Sequence, residues 1–338
     1  MSLKFARLAA LRRDDALGAA DAAGTASATG ERGVALLTVL WVLALFSVIA
    51  AGMVAQTHAE LQIAHNMKEM AQARALAEGG VFLALPHLLD PSLETQWRPD
   101  GQERIVEYGS GTVRITLQDE AGKIDINAAP DELLAGLFTV LGLGSEETTR
   151  LVDVIADWKD PGELHRLNGA KRDDYRRAGL PWVPRNGPFE AVEELRLVLG
   201  MTPALYARAA PLVTIYSQNA RVNPATASAD VLQALPGARP PEIALFVQAR
   251  DRAEAERTQT GRAPPPLPPM TGLEQFFAPG PSRVVTIRSE GRTPGGGLFV
   301  REAAVDMTGK ADNPYVILAW RKGRGSETAA ADISAGAF

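Results

Sequence analysis

The run VALLTVLWVLALFSVIAAGMVA, from Val34 to Ala55, carries no charged residue. As a helix it is about 33 Å long at 1.5 Å per residue, enough to cross a hydrocarbon core of ~30 Å. Nothing else in the chain restricts the fold so strongly, because a span in lipid must satisfy its backbone hydrogen bonds internally. Its two hydroxyl residues, Thr38 and Ser47, are tolerable because a helix can take such groups onto its own carbonyls. The run is longer than a secretory h-region of roughly 7–15 residues, so it reads as a single-pass anchor rather than a cleaved signal.

The pattern continues past Ala55. No proline occurs from Gln56 until Pro86, and apolar residues recur at Leu61, Ala64, Met67, Ala71, Ala75, Val81, Leu85 and Leu88. That spacing predicts an amphipathic helix. One continuous helix is therefore expected to leave the membrane and lay its stripe on a soluble domain. Gly79-Gly80 should weaken it by roughly 1 kcal/mol per glycine, and Pro86 and Pro91 should end it.

The whole chain of 338 residues is 46% hydrophobic with a net charge of −5, and its length allows two or three domains. An acidic balance matches a phosphate backbone poorly, so no nucleic-acid partner is expected. With no cysteine, disulfides, thiol nucleophiles and Cys-ligated metals are excluded. His58 and His65 are seven residues apart on one helix face and read as solvated. Neither a Walker A nor a GxSxG motif occurs, and the chain reads as non-enzymatic. Trp158 and Trp182 read as packing residues.

Glu103 to Glu120 alternates apolar and polar residues around Gly109-Ser110-Gly111, a hairpin signature. Ser282–Gly291, Leu298–Met307 and Tyr315–Arg321 are three further strands, the first two joined by RTPGGG. Between these sets lies a strand-poor block with helical pattern over Asp131–Leu141, Glu146–Trp158, Phe189–Leu199, Pro203–Ile215, Ala229–Leu235 and Pro241–Arg257. Arg257 to Met270 is a proline-rich linker. Within the block, DINAAPDELL (Asp125–Leu134) and NPATASADVL (Asn223–Leu232) echo one another, and a helical hairpin follows each. The expected class is α+β: a long N-terminal helix on a small antiparallel sheet, with a large all-α insertion between strands. The divisions are 1–33, 34–55, 56–121, 122–281, 282–321 and 322–338, the first and last disordered.

Two resemblances follow. RVNPATASADVLQALPGARPPEIALFVQARD resembles the helix-hairpin-helix domain of membrane-anchored competence DNA receptors, but Arg239 stands where phosphate clamping needs a second glycine. The other covers far more chain. An Arg-Gly pair before an apolar helix resembles a type IV prepilin start. GKIDINAA, DWKD, NGAKRDDY, NGPFEAVEELRLVLGMT, YARAAPLVTIY and VNPATASADVLQAL then occur in order. Together they resemble the minor pseudopilin K (GspK) family of type II secretion systems, from about Gly33 to Trp320.

That resemblance implies a pilin-like fold with an inserted α-domain of SAM-like or helix-hairpin-helix-like subdomains. It implies a leader of residues 1–33, cut by prepilin peptidase between Gly33 and Val34, and an inner-membrane anchor with a periplasmic globular part. Partners would be minor pseudopilins I and J and the major pseudopilin G, at the tip of the pseudopilus. Thr38 would be position five of the mature chain, where most prepilins have Glu and this family does not. The apolar helix stripe, with Leu61, Ala64, Met67 and Ala71, would be the assembly interface, part of it also packing on the protein's own sheet. Family members also bind calcium in the α-domain, which makes Asp157, Asp160, Glu163 and Asp174 candidate Ca2+ ligands. Carboxylates gathered on one loop suit that ion. Lys159, Arg166, Lys171 and Arg172 are interleaved with them, and Lys171 stands where the family pattern has an acid.

Overall fold

The computed structural model describes residues 30–92, 95–260, 266–280, 283–309 and 312–323. The expectations placed on residues 1–29 and 324–338 lie outside the described residues. The chain divides into two compact units, one up to Ala64 and one from His65.

One helix, α1 (Gly30–Leu89), serves both. In the first unit every residue from Val34 to Ala64 is exposed, and this stretch is long and apolar enough to cross a membrane. The hydroxyls behave as the composition requires: Thr38 donates to Ala35 O at 2.9 Å and Ser47 to Leu43 O at 2.8 Å. The last four residues of the expected leader, from Gly30, are already helical. At the other end the helix runs through Pro86 and stops at Leu89, shortly before Pro91.

In the second unit α1 lies on a five-stranded antiparallel sheet of order β1-β2-β5-β6-β7. A two-residue turn, with Gly109 at φ 58°, joins β1 (Asp100–Tyr108) to β2 (Gly111–Asp119). Two short strands, β3 (Ile124–Asp125) and β4 (Val213–Thr214), form a separate parallel ladder inside the insertion. The sheet resumes with β5 (Val284–Arg292), β6 (Leu298–Asp306) and β7 (Val316–Lys322). Since Asp119 pairs with Val285 in β2 and β5, the insertion leaves and returns at neighbouring strand ends. Lys322 still pairs with Arg301, one residue into the expected tail.

Alternation builds the core under α1. Val113, Ile115 and Leu117 of β2, Val285 and Ile287 of β5, and Ala303 and Val305 of β6 point to the helix, which answers with Leu76, Val81, Ala84 and Leu85. Gly80 and Gly291 are the contact points. A Cβ on Gly80 would collide with Ser289 and Val113, and one on Gly291 with the backbone of Ala73 and Ala77. The Gly79-Gly80 pair therefore lets the helix approach the sheet rather than interrupting it.

The insertion has its own core. Its helices are α2 (Asp131–Val140), α3 (Ser145–Lys159), α4 (Arg172–Arg177), α5 (Pro203–Ala209), α6 (Ala229–Gln233) and α7 (Pro240–Thr260). Three expectations are corrected. The segment 189–199 holds a 3-10 helix, Val192–Leu197, and no α-helix. The segment 203–215 ends as a 3-10 turn and then β4, because Pro211 interrupts the helix and the β-branched Val213-Thr214 pair with Ile124-Asp125. The linker expected from Arg257 is helical up to Thr260, and its last residue, Met270, is buried in the core.

Candidate functional site

The internal echo is a shared local structure. Asp125 accepts the N–H of Asn127 on its carboxylate at 2.9 Å, and its carbonyl accepts from Ala128 and Ala129. Ninety-eight positions later Asn223 does the same for Ala225, Thr226 and Ala227. Each side chain makes an Asx turn a few residues ahead of a helix, α2 or α6. Leu133 and Leu134 in one, and Val231 and Leu232 in the other, occupy equivalent buried positions. Each helix turns into its partner through a glycine of positive φ, Gly142 (88°) and Gly237 (84°).

These hairpins lack the means to hold phosphate. Glu146 and Glu147 occupy the first turn of α3, where they oppose an anion. The first two residues of α7 are Pro240 and Pro241, which have no N–H to offer.

The second copy of the echo fastens the insertion to the sheet. Asp119, fully buried at the end of β2, accepts from Ala121 N–H at 2.9 Å, Thr226 Oγ1 at 2.9 Å and Asn223 Nδ2 at 3.4 Å. Asn223 N–H donates to Ala121 O at 2.7 Å, and Val222 exchanges backbone hydrogen bonds with Phe276 and Ala278. A mixed cleft of about 880 Å³ opens beside this joint, lined by Leu88 and Leu89 of α1 together with Thr226 and Arg250. The α-domain thus sits at the C-terminal end of α1. It also meets the back of the sheet, where Arg321 pairs with Glu193 at 3.2 Å and Glu302 at 3.2 Å.

The expected interface residues Leu61, Ala64, Met67 and Ala71 are all exposed. They do not continue into the face that meets the sheet. Burial starts at Ala73, two positions after Ala71 and so about 200° around the helix. The exposed stripe passes instead through Ala75 to Phe82, which is half exposed against Trp320 of β7. The sequence merged two stripes of different phase. Gly33 is helical, and Val34 and Thr38 follow it on exposed helix.

The four candidate calcium ligands do not converge. Asp157 is buried at the end of α3 and both its oxygens face the N–H of Arg166, at 3.0 and 3.2 Å. Asp160 turns back onto Gly162 N–H at 3.0 Å. Asp174 accepts from Lys171 N–H at 2.8 Å and pairs with Arg177 at 2.5 Å. Glu163 is exposed. Among the described residues no three acidic or imidazole side chains gather as a metal site. Sequence reasoning missed Lys171, whose ammonium donates to the carbonyls of Asp157 at 2.8 Å and Asp160 at 2.6 Å. Its position in place of an acid was the available signal.

Around this loop Arg166 reaches Asp131 and, at 3.5 Å, Asp153. The hydrogen bond to Asp131 is the main cause of its raised pKa. Burial lowers the Lys159 pKa against the pull of Asp131 and Asp125. Trp158 stacks on Phe189 at 5.7 Å, while Trp182 donates to Leu197 O at 2.8 Å. Burial also pushes the Tyr175 phenol up to about 12.

Comparison with known proteins decides the family. The chain is 31% identical over 253 residues to type II secretion system protein K of Klebsiella pneumoniae, covering 68% of this chain and 76% of that protein. It belongs to the type II secretion system protein K family. The Pseudomonas aeruginosa protein K is 28% identical over 250 residues, 66% of this chain and 73% of that one. The family model for type II secretion system (T2SS) protein K matches residues 115–218. A chain in the crystal structure of the GspK-GspI-GspJ complex of enterotoxigenic Escherichia coli superposes with a TM-score of 0.56 at 18% identity. The match covers 80% of this chain and all of that one. The α+β fold, with its long N-terminal helix, is the fold of that structure.

Proposed function

We propose that this protein is the minor pseudopilin at the tip of the type II secretion pseudopilus, where it initiates or caps assembly with pseudopilins I and J. One observation carries the reading: the α-domain sits at the C-terminal end of α1, where Leu88 and Leu89 line the cleft between them. A subunit with a large extra domain at one end of its assembly helix suits a terminal place in a helical stack. The role is structural and not catalytic. Prepilin peptidase cuts between Gly33 and Val34, the anchor lies in the inner membrane, and the globular part faces the periplasm. Major pseudopilin G follows below, packing on the stripe Leu61, Ala64, Met67 and Ala71.

Thr38 fits this place. A carboxylate at position five serves to neutralise the terminal ammonium of a neighbouring subunit, since an unpaired charge in lipid is costly. A tip subunit has no such neighbour above it. The testing experiment is co-purification with pseudopilins I and J, with the mature N-terminus read by mass. A ternary complex starting at Val34 is expected; failure to associate, or an uncut leader in the membrane form, would overturn the reading. Thr38→Glu should secrete normally or slightly worse, and a gain in secretion would count against a terminal place.

A further inference from the structure

We infer that the loop after α3, residues 160–171, is organised by the chain's own ammonium group, Lys171, and not by a divalent cation. Lys171 is only 8% exposed. Its Nζ lies 2.8 Å from Asp157 O, 2.6 Å from Asp160 O and 4.0 Å from Asp160 Oδ2. These are oxygens of the kind calcium takes. They belong to the last turn of α3, where helix carbonyls are left without helical partners and the negative end of the dipole favours positive charge. An ammonium has three donors and no acceptor, so it serves this cage as a tethered cation.

The residues present do not fit an added ion. The Asp157 carboxylate faces inward, with Gly169 packed so closely that a Cβ there would collide with it. The Asp174 carboxylate caps α4 through Lys171 N–H and holds Arg177. A divalent ion at the carbonyl cage would also meet the ammonium at close range, where like charges repel strongly.

The clamp has a consequence for the surface. The loop carries Leu164 and Leu167, 89% and 93% exposed, so these side chains contribute no burial to hold it in place. Its shape depends on polar anchors: Lys171 at its end, Arg166 N–H on Asp157, and Asn168 on Asp153 at 3.2 and 3.1 Å. Lys171 is thus the positioning residue for a loop that displays two leucines to solvent.

The test uses the full chain in detergent micelles. Its melting temperature should be the same in millimolar Ca2+ and in EGTA. In Lys171→Met, hydrogen exchange at the Arg166 and Gly169 amides should quicken roughly tenfold, while exchange in β2 stays unchanged as the folding control. Lys171→Glu places a carboxylate where the ammonium was. It should lose the same protection in EGTA and recover it in Ca2+. Three results would overturn the inference: a Ca2+-induced rise in the wild-type melting temperature that EGTA reverses, unchanged loop exchange in Lys171→Met, or Lys171→Glu indifferent to Ca2+.

Discussion

At the scale of residues, single buried polar groups decide how the two parts of the globular unit join. Asp119 gathers Ala121 N–H, Thr226 Oγ1 and Asn223 Nδ2 at the point where the insertion leaves β2. Asp119→Ala leaves those donors without their acceptor, and should cost about 2–4 kcal/mol in chemical denaturation. Tyr175 is a second case. It is fully buried, and its hydroxyl accepts from Leu199 N–H at 3.0 Å. Its pKa is raised to about 12 by burial, against roughly 10 when unfolded. Below pH ~10 both states keep the proton, so its contribution to stability is intact. Between about 10 and 12 only the unfolded state releases it, so stability falls as pH rises through that window. Tyr175→Phe should flatten this alkaline loss in melts from pH 9 to 12, at a cost of roughly 1–2 kcal/mol near neutrality for the lost partner of Leu199 N–H. An unchanged alkaline slope would assign that loss to other groups.

At the scale of elements, α1 approaches the sheet closely and shares a core with it. Gly291 sits under Ala73 and Ala77, where backbone atoms cannot turn aside. Gly291→Ala should therefore destabilise by about 3 kcal/mol, whereas Gly296→Ala, in the open β5–β6 turn with φ 89° and nothing nearby, should cost about 1 kcal/mol through backbone strain alone. Paired thermal melts would check the difference, and equal costs would refute the packing argument. Arg301 supports the same contact. It pairs with Glu78 of α1 and lies over the rings of Phe299 and Trp320, both at 5.1 Å. The strands, the RTPGGG turn, α2, α3, α6 and α7 were legible in the sequence because each carries its own period and its own punctuation. The 3-10 segment 192–197 was not, since a 3-10 helix and an amphipathic α-helix share apolar spacings of three. The four-residue β3–β4 ladder was not legible either, because residues too few to show a period become strands only by meeting each other.

At the scale of the whole molecule, the globular unit holds two apolar cores with no residue in common. The insertion ties its C-terminal segment back onto its second half through the Val222–Phe277 bridge. A fragment of residues 120–280 should thus melt as a cooperative helical unit by circular dichroism, though at a lower temperature than the full chain because the Arg321–Glu193 and Asp119 contacts are lost. A gradual, non-cooperative melt would show that the insertion depends on the sheet.

The sequence by itself determined the membrane-length apolar helix, the alternating strands, the helical insertion and the family, because these are written in local composition, period and ordered motifs. Tertiary structure alone decided which stripe of α1 meets the sheet, why Gly80 and Gly291 are glycines, and that a lysine holds the cage at the end of α3. The reason is physical. Periodicity records that a face is apolar but not what covers it, and a list of acidic residues records charge but not where each carboxylate points. Asp157, Asp160, Glu163 and Asp174 looked like one set because they are close in sequence. Folding gave each carboxylate its own surroundings and placed Lys171 among the carbonyls.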